Sequence, residues 1–181
     1  RNRPKQIYER AKLARSHGRT ETADYFSSSE YMDYVDLGYN FRMSSMTAAL
    51  GISQLRKANR IVNMRRRNAR LMNMALSTIA EVRPLLEPPE HFHTYQMYSV
   101  QLPEGRRNQL RTYLGKKGIM TKVYFYPVHL TSFYQKTLGY KESLEMTETI
   151  SRRTLTLPMY PSMTRREIGY VAAKVKSCFE E

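Results

Sequence analysis

The sequence predicts an α/β fold, with helices packed on a small mixed or antiparallel sheet, for the second half of the chain. Three observations lead there. After Pro84, Pro88 and Pro89 the patterning runs strand, helix, strand, helices, strand, helix. An apolar stripe from Leu55 to Ile79 recurs at spacings of three, four and seven. Thr164-Arg165-Arg166-Glu167 is a capping box, and it opens a helix whose Ile168, Val171, Ala172, Val175, Cys178 and Phe179 share one face.

The elements follow in order. Residues 5–14 read as a short helix that stops at the RSHG turn, where Gly18 suits a left-handed conformation. Residues 19–40 have weak periodicity and carry Tyr25, Tyr31, Tyr34 and Tyr39, which suggests an ordered loop. Residues 44–79 give the strongest helical signal, with Ser44 or Ser45 as the cap and one gap in the apolar stripe, at Arg65 and Arg66. A helix this long, or two broken near Asn63, bridges parts of a protein. The prolines end it and set the expected division into residues 1–85 and 86–181. Beyond them, residues 94–102 read as a strand and 106–117 as a helix closed by Gly118. A second strand is expected over 119–126, stopped by Pro127. Short helices follow over 132–138 and 143–153, then a third strand over 155–159.

Composition bounds the function. The chain has 181 residues, 41% of them hydrophobic, enough for one domain with a core and an attached piece of another. A single cysteine, Cys178, excludes an internal disulfide framework and fits a reducing cytoplasm. No apolar run reaches the roughly 20 residues that cross a bilayer, so no membrane partner is expected. The opening RNRPKQ, without a Met, suggests a piece of something longer. Thirty Lys and Arg against 16 acids give a net charge of +14. Eight of the basic residues fall within 37–80, where there is no acid. Such a balance points to an anionic partner or to a solvated helix face. No helix-turn-helix, zinc or RNA-binding signature accompanies it, so nucleic acid is not the expected partner, and no metal site is expected either.

The richest segment is Gly38-Tyr39-Asn40-Phe41-Arg42-Met43, followed by a helix reading AALGISQL. Asn40 and Arg42 stand just upstream of a helix N-terminus, where backbone donors and the dipole favour an anion. An amide and a guanidinium there can hold a phosphate or a carboxylate. GYNFRMSSMTAALGISQL resembles the segment that follows the active-site lysine in the DegT family, the pyridoxal-phosphate (PLP) aminotransferases of fold type I that act on keto-sugar nucleotides. ARSHG (14–18), GIMTKVYFYPVHLTSFY (118–134) and RRTLTLPMYPSMTRREI (152–168) resemble three further family stretches in the right order.

This resemblance implies the C-terminal part of such an enzyme: the end of the large domain, a long interdomain helix, and a small domain with a three- to four-stranded, largely antiparallel sheet. It implies that Asn40 reaches the cofactor phosphate of a neighbouring subunit in a homodimer, with Arg42 beside it. It places His129 by the bound nucleotide-sugar, with Tyr124 and Tyr126 lining the same pocket; His17 is read as a turn residue. In the family the lysine that anchors the cofactor lies upstream of the ARSHG turn, together with the rest of the large domain. Lys5 and Lys12 are in the wrong context for that role, so the chain alone is expected to be inactive. The function implied is transfer of an amino group, from glutamate, to a keto-sugar nucleotide. Two alternatives stand beside it: a dehydratase of the same family, and a non-catalytic basic module or one half of a split enzyme.

Overall fold

The computed structural model describes residues 3–20, 31 and 33–180. Much of the loop expected over 19–40, Tyr25 included, therefore lies outside the described residues. The chain forms two compact units, Arg1–Arg56 and Lys57–Glu181.

In the first unit, α1 (Arg3–Arg15) ends in a turn where His17 and Gly18 are both left-handed, at φ 63° and 70°. The turn is then zipped to residues 33–41. Val35 N donates to Gly18 O (2.9 Å), His17 N to Tyr39 O (2.9 Å), Tyr39 N to Ala14 O (2.7 Å) and Phe41 N to Arg15 O (2.9 Å). Two glycines permit the approach. A Cβ on Gly18 would stand 1.6 Å from Asp36 O, and one on Gly38 would stand 2.0 Å from Gly18 N. Helix α2 (Ser45–Leu55) follows, capped by the Ser44 side chain, which accepts from Thr47 N. None of its residues is buried.

The second unit begins with α3 (Ala58–Leu76). The helical stretch expected over 44–79 is thus two helices, divided at Arg56–Lys57 and not near Asn63. No glycine or proline marks the break, so local chemistry could not locate it. The sheet is three-stranded, antiparallel and ordered β1-β2-β3, from β1 (Arg83–Pro84), β2 (Tyr98–Gln101) and β3 (Thr154–Leu157). Tyr98 pairs with Leu157 and Val100 with Leu155. These four bury one face, while Ser99 Oγ meets Thr156 Oγ1 at 2.7 Å on the other. Helices α4 (Arg106–Lys116), α5 (Glu145–Arg153) and α6 (Arg165–Glu180) complete the unit. Helix α6 packs on α3 and α4, burying Ile168, Val171, Val175 and Cys178 against Met72 and Leu76. The capping box forms: Glu167 N donates to Thr164 Oγ1 (3.2 Å) and Thr164 N to Glu167 Oε2 (2.7 Å).

The strands depart from expectation in instructive ways. The strand expected over 94–102 is cut to four residues, because the Tyr95 and Gln96 carbonyls accept from the Arg65 guanidinium instead of a neighbouring strand. The strand expected over 119–126 is reduced to one bridge, Lys122 with Thr156. Its β-forming Tyr124, Phe125 and Tyr126 are exposed, since propensity measures fit to a half-buried pleated surface and here none is offered. β3 ends at Leu157 because Pro158 has no N–H to donate. β1 was not foreseen: Pro84, read as a helix stop, occupies an edge strand, where a proline is tolerated. The apolar stripe is buried only over Ala69, Met72, Leu76 and Ile79, and Leu55 is 76% exposed.

Candidate functional site

Two places gather the predicted residues, one in each unit. In the first, the turn at 14–18 and the segment 38–43 turn out to be one construction. Ser16 bridges Asn40, which fixes the backbone of Asn40 while leaving its side chain exposed. Arg42 is also exposed, two residues before the Ser44 cap. Among the described residues neither side chain makes a hydrogen bond or an ion pair. Tyr39 and Phe41 stack with ring centroids 5.0 Å apart. The nearby carboxylate of Asp36 is occupied by Leu37 N (2.8 Å). A free guanidinium and the N-terminus of an 11-residue helix offer donors only, the Asn40 amide adds two N–H donors beside its acceptor oxygen, and these donors suit the acceptor oxygens of a phosphate. The chemistry fits the phosphate end of PLP.

In the second unit lies a cleft of about 580 Å³. Residues 93–99, Tyr124 and Phe125, and Thr147, Ile150 and Ser151 of α5 are in its lining. Of the residues expected in a substrate pocket, Tyr124 is in this lining. Tyr126 is 61% exposed and is not. His129 is 7% exposed, its Nε2 lies 3.1 Å from Glu148 Oε1, and it does not line the cleft. Among the described residues no group of three or more His, Cys, Asp or Glu is placed to hold a metal, and no helix is long and apolar enough to cross a membrane.

Sequence reasoning passed over the residues that hold the cleft wall. The gap at Arg65 and Arg66 in the apolar stripe is where α3 grips residues 87–96. Arg65 donates to the carbonyls of Tyr95 (3.1 Å), Gln96 (2.9 Å) and Met159 (3.3 Å). Arg66 pairs with Glu87 (2.9 Å), donates to His93 O (2.7 Å) and lies over the Phe92 ring (4.3 Å). The Arg66 bond holds the Glu87 carboxyl below the usual range. Asn68, fully buried, donates to Tyr160 O (2.9 Å) and Pro161 O (3.2 Å). The only available signal was polarity where the helical period demanded an apolar residue. Part of the basic cluster is therefore internal wiring, satisfying carbonyls that no sheet pairs.

The fold is that of solved sugar-modifying aminotransferases. Helicobacter pylori PseC, an aminotransferase involved in the biosynthesis of pseudoaminic acid, superposes with a TM-score of 0.81 at 24% identity, over 97% of this chain and 46% of that one. The sugar aminotransferase CalS13 from Micromonospora echinospora gives 0.80 at 21%, over 96% and 45%. The chain belongs to the DegT/DnrJ/EryC1/StrS aminotransferase family, whose model matches residues 3–176. That family is PLP-dependent. An uncharacterized protein of Methanocaldococcus jannaschii is 32% identical over 97% of this chain and 48% of its own length. A dTDP-4-dehydro-2,3,6-trideoxy-D-glucose 4-aminotransferase of Saccharopolyspora spinosa is 30% identical over 97% and 46%. The spore coat polysaccharide biosynthesis protein SpsC of Bacillus subtilis is 30% identical over 94% and 46%. The chain spans about half the length of the curated relatives it matches.

Proposed function

We propose that this chain is the C-terminal part of a cytoplasmic PLP-dependent aminotransferase that moves an amino group from glutamate to a keto-sugar nucleotide, on a route to amino sugars of cell-surface polysaccharide. The observation that carries the reading is the family match over residues 3–176, joined by relatives named for sugar-nucleotide amination and coat polysaccharide. The family's cofactor, when bound, supplies the electron sink that lets an amino group leave one substrate and enter another. This chain's own share is binding and orientation. Asn40 and Arg42 donate to the cofactor phosphate of a second copy in a homodimer; their exposure and lack of other partners support it. Tyr124, in the lining of the cleft, and the exposed Tyr126 meet the sugar nucleotide, while His129 acts on it through the segment it anchors. The lysine that anchors the cofactor and takes up the moving proton comes from the large domain, which relatives of twice this length have room for.

The test is the full-length protein with PLP, glutamate and a panel of keto-sugar nucleotides, with products read by mass spectrometry. Glutamate-dependent formation of an amino-sugar nucleotide is expected. Loss of water from the sugar instead would place the protein with dehydratases. No conversion of any keto-sugar nucleotide by the PLP-loaded protein would overturn the reading.

A further inference from the structure

The two walls of the cleft are held differently. Residues 93–99 are gripped from α3 by Arg65 and Arg66 and run into β2. The wall of Tyr124 and Phe125 has no ladder: after the bridge at Lys122 the chain leaves the sheet, and Tyr124, Phe125 and Tyr126 stand 41%, 69% and 61% exposed. A segment with few buried contacts and no strand partner opens easily unless polar anchors hold it.

Two anchors come from α5, three residues apart. Ser151 Oγ donates to Phe125 O (3.2 Å). Glu148 gathers three donors on Oε1: Ser143 Oγ (3.0 Å), Leu144 N (3.1 Å) and His129 Nε2 (3.1 Å), the last from 19 residues upstream. Arg152 stands 3.6 Å from Oε2, and the Tyr140 ring meets the His129 ring edge-on at 6.1 Å. The first two bonds belong to the start of α5, and a helix-start role would need no more. The third does something else. It fastens the 3₁₀ turn Val128–Leu130, directly after the cleft wall, to the helix that forms the rest of that wall.

We propose that Glu148, acting through His129, is the positioning residue that sets the Tyr124–Phe125 wall against α5 and thereby the fit of the ligand in the cleft. The proposal rests on the reading that the sugar nucleotide enters this cleft. Glu148 touches no ligand itself; its work is to close the wall.

The experiment uses the full-length enzyme with Glu148→Ala, the conservative Glu148→Gln, His129→Ala and the double variant. The first readout is amide hydrogen exchange over residues 125–131, where Leu130 N and Thr131 N donate to Pro127 O and Val128 O (both 3.0 Å). The second is the split between KM for the sugar nucleotide and kcat. Glu148→Ala is expected to speed exchange there roughly tenfold or more while leaving the α3–α6 core protected. It should raise KM by about the same factor, with kcat at saturation and cofactor affinity held. Glu148→Gln, which keeps an acceptor oxygen, should lie between. The double variant should be no worse than Glu148→Ala, because the two residues act as one link. Faster exchange confined to the first turn of α5 would make Glu148 a helix cap and overturn the proposal, as would a looser segment with an unchanged KM. If the wild type transfers no amino group to any sugar nucleotide, the proposed function fails, and exchange at 125–131 still decides whether the link exists.

Discussion

Asn40 is the residue on which the cofactor assignment turns. Its backbone is pinned by the bridge to Ser16, so a substitution there should leave the local fold intact. A hydrogen bond to a charged group contributes about 1.5–3 kcal/mol, so Asn40→Ala in the full-length enzyme should raise the dissociation constant for PLP roughly ten- to a hundredfold. Asn40→Asp should be worse, since it sets a carboxylate against a phosphate. Much of the turnover should return at saturating cofactor, and titration of both variants checks this. Unchanged affinity in both would reduce Asn40 to a turn residue. Arg65 makes a contrasting case, a basic residue with a structural task. Arg65→Met keeps the stem and removes the three carbonyl bonds. It should lower unfolding free energy by about 2 kcal/mol and loosen residues 93–97, measured by denaturant unfolding and amide exchange. A variant as stable as the parent would show that water replaces the guanidinium without loss.

Among the elements, α6 tests how local chemistry supports the fold. Thr164→Ala removes the cap acceptor for Glu167 N and should cost about 1 kcal/mol in urea unfolding. The Glu167 carboxyl accepts from the Thr164 hydroxyl and backbone N–H and from the Tyr160 hydroxyl, which together hold its pKa down to about 2. A pKa depressed in the folded state gives stability that is fully present above the unfolded value, about 4.3, and fades as pH falls toward 2. Glu148 and Glu87 are shifted in the same direction, by the His129 and Arg66 bonds respectively. Stability should therefore fall between about pH 4.5 and 2, and Glu167→Gln should flatten part of that slope. Parallel pH profiles for parent and variant would show that the carboxylate gains nothing from its three donors. Helix α3 carries the same lesson: it was readable as a helix from its apolar spacing, but that spacing only marks Arg65 and Asn68 as polar exceptions and does not say which carbonyls they bond.

For the whole molecule, the question is what meets the surface of the first unit. Leu37, Phe41, Met43, Met46, Leu50 and Leu55 are 62–84% exposed, and α2 buries nothing. Large apolar side chains left this exposed over one short stretch of chain suggest a partner face. The chain on its own should therefore associate at micromolar concentration in sedimentation, and Met46→Gln with Leu50→Gln should disperse it. A clean monomer from the unmodified chain would count against a partner face here. The Leu55–Ile79 stripe offers little such surface beyond Leu55, because Ala69, Met72, Leu76 and Ile79 are buried in the core with α6 and the sheet.

The sequence by itself determined the family, through four motifs in order, and the helical character of 44–79 and of the last helix, through apolar spacing and the Ser44 and Thr164 caps, though not the break at Arg56–Lys57. It also determined the left-handed stop at Gly18. All of these are written within a few residues of where they act. Only the tertiary structure decided that residues 119–126 would not be a strand, because a strand exists only where a neighbour offers a ladder, and there Thr156 alone does. It alone decided that the turn at 14–18 and the segment at 38–41 are one construction, since no local period links residues that far apart. It alone turned His129 toward Glu148 and Arg65 toward three carbonyls. A polar side chain finds its partner by proximity in the fold, and neither spacing nor propensity encodes which partner that will be.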